Sequence, residues 1–248
     1  MRRRLKEFVL GKALAPKIVE IGEPNDVRPW LYWIEDRPIR FLLPTSMLRM
    51  QGAFHFGRGH PFVRALESGP AALISFYESF KPSNLAEMYQ TEKKGLRGET
   101  LPPWELPWAM RADRTPPPGE AGLSSAHGVS FYGPASCDKV VAEIDRLEAI
   151  AASIRSRGYD PDRYGDIEGH FICSRSELCF FVRGGKHRAA VLAFLGHERI
   201  PVRIKSTWPR VVDSIAADDW PLVVNGMMDV SLARQILDAY LKGRNFAN

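Results

Sequence analysis

Apolar residues recur along this chain in two rhythms, and the change from one to the other marks out its elements. Alternation or short β-favouring runs at 17–21, 31–34, 39–43, 166–173, 178–182 and 200–204 predict strands. The runs 31–34 and 39–43 flank Glu35-Asp-Arg-Pro38 and predict a β-hairpin. Helical spacing predicts helices over 61–67, 71–80, 136–157, 187–195 and 231–241, a further helix within 81–89 capped by Ser83 or Asn84, and a helical turn at 46–50. Ser136 is placed to cap the long helix and Gly196 to end the one over 187–195. Between 95 and 128, Leu101-Pro-Pro-Trp-Glu-Leu-Pro-Trp108 and Thr115-Pro-Pro-Pro-Gly119 are too proline-rich for regular structure. They predict an irregular connector, pinned by Trp104 and Trp108. The expected organisation is α/β (α+β): an N-terminal α+β region over 1–94, the connector over 95–129, a compact α/β domain over 130–205 and a helical extension over 206–248 packed on it.

Composition narrows the function classes. With 248 residues, 45% hydrophobic and 25% charged, the chain has the make-up of an ordinary globular protein. No run of about 18 apolar residues occurs, so no membrane span is expected. The basic start lacks the apolar core of a signal peptide, and Cys137, Cys173 and Cys179 have neither paired nor metal-ligand spacing; both point to the cytoplasm. A net charge of +5 suits an anionic small ligand at least as well as nucleic acid. The glycine-rich piece 52–61 carries His55 and His60 without a carboxylate nearby in sequence and reads as a surface loop. His170 and His197 read as surface residues too.

The chemistry concentrates in Gly184-Gly-Lys-His-Arg188, between a strand and a helix. Glycines permit the turn, and a helix N-terminus gathers unpaired N–H groups in a field that favours anions. Lys186, His187 and Arg188 add cationic donors, so Gly184, Gly185, Lys186, His187 and Arg188 are the candidate phosphate-binding residues. An ordinary glycine turn with a solvated basic cluster fits the same residues.

Gly-Gly-Lys-His-Arg-Ala-Ala followed by Leu195-Gly196 and Ile200-Pro-Val202 resembles the phosphate-binding segment of the ParB/sulfiredoxin superfamily. The stretch Glu143-Ile-Asp-Arg-Leu147, with Ile150 and Ser153-Ile154 before Gly158, is similar to that family's first helix, so the resemblance covers roughly 138–205. Lys186 stands where sulfiredoxins carry their reactive cysteine, which disfavours sulfinic-acid reduction. Only some 44 residues follow Ile204, with one good helix rather than a DNA-reading pair, which disfavours partition-protein chemistry and nucleic acid as a partner. The chain looks most like the free-serine kinases. That likeness implies a phosphate loop at 184–188 and Glu143, ahead of Arg146-Leu147, as the base for a substrate hydroxyl. Those kinases carry an aspartate where this chain has Gly184, and Asp166 or Glu168 on the neighbouring strand is the candidate to hold Mg²⁺ instead. Glu143 also fits a surface residue paired with Arg146. The resemblance therefore implies a nucleotide-dependent phosphotransferase using ATP or ADP, with CTP also allowed, and Mg²⁺. Its expected partners are a small hydroxylated acceptor, an amino acid or sugar, and, in a homodimer, a second copy of the chain. The general layout also resembles proteins that accompany surface-polysaccharide assembly, which favours a sugar. A non-catalytic nucleotide-binding module is the alternative, and a ParB-like DNA-binding regulator comes third.

Overall fold

The computed structural model describes residues 16–22, 24–31, 39–91, 95–109, 119–129 and 131–246. Its elements in chain order are β1 (Lys17–Glu20), α1 (Arg28–Leu31), β2 (Ile39–Pro44), β3 (Leu48–Arg49), α2 (Pro61–Ser68), α3 (Pro70–Ser79), α4 (Leu85–Tyr89), α5 (Cys137–Arg157) and α6 (Pro161–Tyr164). There follow β4 (Ile167–Cys173), β5 (Leu178–Gly184), α7 (Lys186–Phe194), β6 (Arg199–Ile204), β7 (Val211–Asp213), α8 (Pro221–Val224) and α9 (Val230–Lys242). The fold is mixed α/β. No helix among the described residues is long and apolar enough to cross a membrane.

The sheet is built on the β4–β5 hairpin. These strands are near-continuous apolar runs because both faces are covered. Their side chains alternate: Phe171, Cys173, Leu178, Phe180 and Val182 enter one core, and Ile172, Cys179 and Phe181 the other. The first core is closed by α2, α3, α5 and α7, the second by the C-terminal helix α9 through Leu232, Ile236, Leu237 and Tyr240. Where β4 lies against β5, a Cβ on Gly169 would meet the Phe181 carbonyl oxygen at 2.0 Å, so only glycine fits.

Strands from both halves of the chain share this sheet, in the order β1-β2-β6-β4-β5-β3. Strand β2 runs antiparallel to β6, and β3 parallel to β5. One edge of β4 is shared: β6 pairs with Ile167–Gly169 and β7 with Phe171–Cys173. The expected hairpin around Glu35–Pro38 falls on 32–38, outside the described residues. Of its first arm only Leu31 is described, and it closes α1; its second arm is β2. The proline run 115–118 and the basic start 1–15 also lie outside. The described part of the connector is pinned as its tryptophans predict: Trp108 is buried against Trp220 and Tyr240, and Trp104 packs on the same core.

Caps follow the sequence signals. Ser136 Oγ accepts from Lys139 N at 3.2 Å, Asn84 accepts from Glu87 N at 2.9 Å, and Gly196 follows α7 with φ +83°. Two histidines are not on the surface. His60 is fully buried; its Nδ1 accepts from Phe62 N at 3.1 Å and caps α2, while its ring stacks on Phe56. His170 is fully buried because its strand is covered on both faces, and its ring stacks on Trp208 at 5.3 Å. His197 is exposed.

Burial, reinforced by Arg183, lowers the His170 pKa to about 3 from the usual 6.5. The unfolded chain takes up this proton near pH 6.5 and the folded one resists it, so the stability from neutral His170 is complete above pH 6.5 and is lost as the pH falls toward 3. The wild type is expected to lose on the order of 3 kcal/mol through this residue between pH 6.5 and 4, and His170→Phe, which keeps the ring stack, to flatten that limb. Urea unfolding at both pH values measures it; parallel slopes for the two proteins would refute it.

Candidate functional site

Gly184 ends β5 in register with Glu168, and Gly185 turns the chain into α7 with φ +75°. A Cβ on Gly185 would lie 2.9 Å from Arg188 Nη2, so the corner needs glycine for both its angle and its space. The next three residues project in different directions. Lys186 turns inward and places Nζ 3.8 Å from the centre of the Phe131 ring. Burial holds its ammonium well below the usual lysine range, Arg183 pushing the same way and Glu143 opposing. His187 stacks on Phe62 at 4.8 Å and points Nε2 toward Glu120 Oε2, 3.5 Å away. Burial, then Arg146, lowers its pKa to about 3. Arg188 donates to the carbonyl oxygens of Tyr164, Gly165 (2.7 Å) and Asp166 (3.1 Å). Its guanidinium clamps the turn that precedes β4.

Opposite α7, helix α5 buries Lys139, Glu143, Leu147, Ala151 and Ile154, a stripe at steps of four and three. Glu143 is fully buried rather than on the surface. Its Oε2 accepts a hydrogen bond from the Tyr77 hydroxyl on α3, and its Oε1 has no hydrogen-bond partner among the described residues. Burial raises the Glu143 pKa to about 7, with Lys139 and Tyr77 pulling it back down. The Lys139 ammonium lies 4.5 Å from the Tyr77 ring centre and 3.4 Å from the Val129 carbonyl oxygen. Glu120, from the segment after the proline run, completes the group. Its Oε1 pairs with Arg146 and accepts from Ala121 N at 2.8 Å.

Between these walls lies a cleft of about 530 Å³, lined among others by Arg146, Ile150, Tyr159, Tyr164, Gly185 and His187. That is the size of a small-ligand pocket. It brings together the glycine corner, the α7 N-terminus and the α5 face of Arg146, Ile150 and Ser153; Glu143 lies on the neighbouring buried stripe and does not line it. Asp166 and Glu168 are not among its lining residues. Asp166 accepts from Arg40 Nε at 2.6 Å and pairs with Arg203 at 3.4 Å; Glu168 pairs with Lys205 at 3.1 Å. With cations already on both carboxylates, neither is suited to the Mg²⁺ role that sequence alone gave it. Sequence reasoning passed over Glu120, Tyr77 and Lys139. Of these only Lys139 left a signal: stepping back by fours from Leu147 through Glu143 reaches it on the core-facing stripe. Comparison with family models, with curated proteins and with solved structures finds no match for this chain.

If Arg188 clamps the turn, Arg188→Ala lowers stability by about 2–3 kcal/mol, because three backbone acceptors lose a charged donor. Gly185→Ala costs about 1–2 kcal/mol through its backbone angle and the guanidinium it would strike. Both are read from urea midpoints, and an unchanged midpoint for Arg188→Ala contradicts the clamp.

Proposed function

We propose that the protein is a nucleotide-dependent phosphotransferase that acts on a hydroxyl of a small acceptor, an amino acid or a sugar. The observation that carries this reading is the glycine-cornered N-terminus of α7 in the cleft wall, with the buried carboxylate of Glu143 next to His187, which lines that wall. The first-turn N–H groups of α7 have no intrahelical partner, and with Arg146 they form an anion seat for the phosphates of ATP, ADP or CTP with their Mg²⁺. Tyr159 and Tyr164 offer ring surface to the rest of the ligand. Phosphoryl transfer asks little more of a protein than a clamped phosphate, compensated charge and an oriented hydroxyl. In this reading Glu143 is the carboxylate at the reacting end, and His187 separates it from the cleft. The motif resemblance to the free-serine kinases supports the same assignment. Membership of the ParB/sulfiredoxin superfamily and a role beside surface polysaccharide remain part of the proposal.

A second reading, a nucleotide-binding module without catalysis, is favoured by the complete burial of Glu143. Calorimetric titration separates the two. ATP, ADP and CTP with Mg²⁺ are titrated into wild type and Arg146→Ala, and at least one nucleotide is expected to bind the wild type and to bind the variant about tenfold or more weakly. A screen of hydroxylated acceptors then follows transfer of the terminal phosphate, which Glu143→Gln should reduce by about 100-fold or more while nucleotide binding persists. Binding without transfer favours the module; no binding to folded wild type removes both readings.

A further inference from the structure

Beneath the cleft, three donor atoms face one another. Glu120, Glu143 and His187 each direct one ligand atom into a common space, and these atoms lie within 4.8 Å of one another. Glu143 is fully buried, Glu120 is 5% exposed and the His187 side chain 11%. Among the described residues, Glu120 Oε2, Glu143 Oε1 and His187 Nε2 all lack a hydrogen-bond partner. The approach of His187 Nε2 to Glu120 Oε2, 3.5 Å, is too long for a good hydrogen bond. Lys139, Lys186 and Arg146 offset part of this charge from outside the space, yet the inward oxygens carry no donor, which is costly, so the space suits an occupant that carries positive charge.

The remaining oxygens are held in place. Tyr77 donates to Glu143 Oε2, and Arg146 together with Ala121 N holds Glu120 Oε1. Outer partners on one oxygen of each carboxylate, with the other oxygen turned inward, are the arrangement that orients metal ligands. The donor set of two carboxylates and one imidazole suits a first-row divalent ion, whereas Ca²⁺ takes six to eight oxygens. Ligands around such an ion sit at about 2.0–2.2 Å, so opposite ligands are about 4 Å apart, and a small inward movement of these side chains closes the site.

We propose that Glu120, Glu143 and His187 bind one first-row divalent cation, Mn²⁺ or Zn²⁺ in class. His187 lines the cleft and gives the ion its way in. The site needs neither Asp166 nor Glu168. It deepens the phosphotransferase reading by placing a protein-held cation beside the phosphate seat, but it is tested with the metal alone, so its outcome is separate from that of nucleotide binding.

The experiment strips the full-length protein with chelator and titrates Mn²⁺ or Zn²⁺ alone by calorimetry, with the Mn²⁺ electron paramagnetic resonance signal as a second readout. Wild type should show a single saturable site. Glu120→Gln and His187→Asn should each weaken it about 10- to 100-fold, while Glu168→Gln leaves it unchanged. Circular dichroism checks that each variant is folded. For wild type itself, the His187 ring resonances should shift on adding Zn²⁺, a readout that survives any variant's failure to fold. Absence of saturable binding in wild type, unperturbed His187 resonances, or full binding in a folded Glu120→Gln each overturns the proposal, and would leave the cluster sharing a proton or a water instead.

Discussion

Two ionisable side chains on the core-facing stripe of one helix set the terms for what packs against it. Lys139 and Glu143 precede Leu147, Ala151 and Ile154 at helical spacing, so the packing that buries the apolar residues buries the charges too. An isolated buried ammonium or carboxylate costs several kcal/mol unless it is matched. The matches come from segments remote in sequence: Tyr77 from α3, Glu120 and the Val129 carbonyl from the segment after the proline run, and Lys186 from α7. Phe62 on α2 and Phe131 then receive the rings and ammonium of the α7 residues. The site is therefore composite because the charge on α5 can be compensated only by bringing several elements to it.

The N-terminal strands make a second, less direct contribution. Arg40 on β2 binds Asp162 at 2.7 Å and Asp166 at 2.6 Å, and both carboxylates hold its guanidinium even more firmly protonated than usual. The turn between α6 and β4 is thus gripped twice, by Arg40 through its carboxylates and by Arg188 through its carbonyls. Tyr159 and Tyr164, both just ahead of that turn, line the cleft. The Tyr159 hydroxyl also donates to the Gly165 carbonyl oxygen at 2.9 Å, which ties the wall to the same turn. Pairing of β2 with β6 places Arg40 there, so one wall of the cleft depends on a strand some 120 residues away in sequence.

Much of this was legible in the sequence wherever a local rule decides the outcome. The long helix and its Ser136 cap, the β4–β5 hairpin, the glycine corner and the amphipathic C-terminal helix all follow from periodicity and turn chemistry within a few residues. What was not legible depends on contacts distant along the chain. His60 and His170 read as surface residues because nothing beside them in sequence tells that Phe56 and Trp208 will stack on them. Asp166 and Glu168 read as free carboxylates because Arg40, Arg203 and Lys205 arrive from other strands. Glu120 stands beside a proline run and carries no periodic signal, yet tertiary packing buries it next to Glu143.

The run Lys186-His187-Arg188 shows why a linear motif and a binding surface are different objects. On a helix, successive side chains leave the axis about 100° apart, so three adjacent cations cannot share one face. Lys186 goes to an aromatic ring in the core, His187 to a buried carboxylate, and Arg188 to backbone carbonyls. All three residues still border the cleft, but their charged ends are engaged elsewhere, and the helix start adds N–H groups and a dipole that point along the axis whatever the side chains do. Arg146, from another helix and paired with Glu120, adds a further cationic side chain. The anion seat proposed here would thus be a property of the glycine corner and of α5–α7 packing, with the basic residues of the motif holding that geometry.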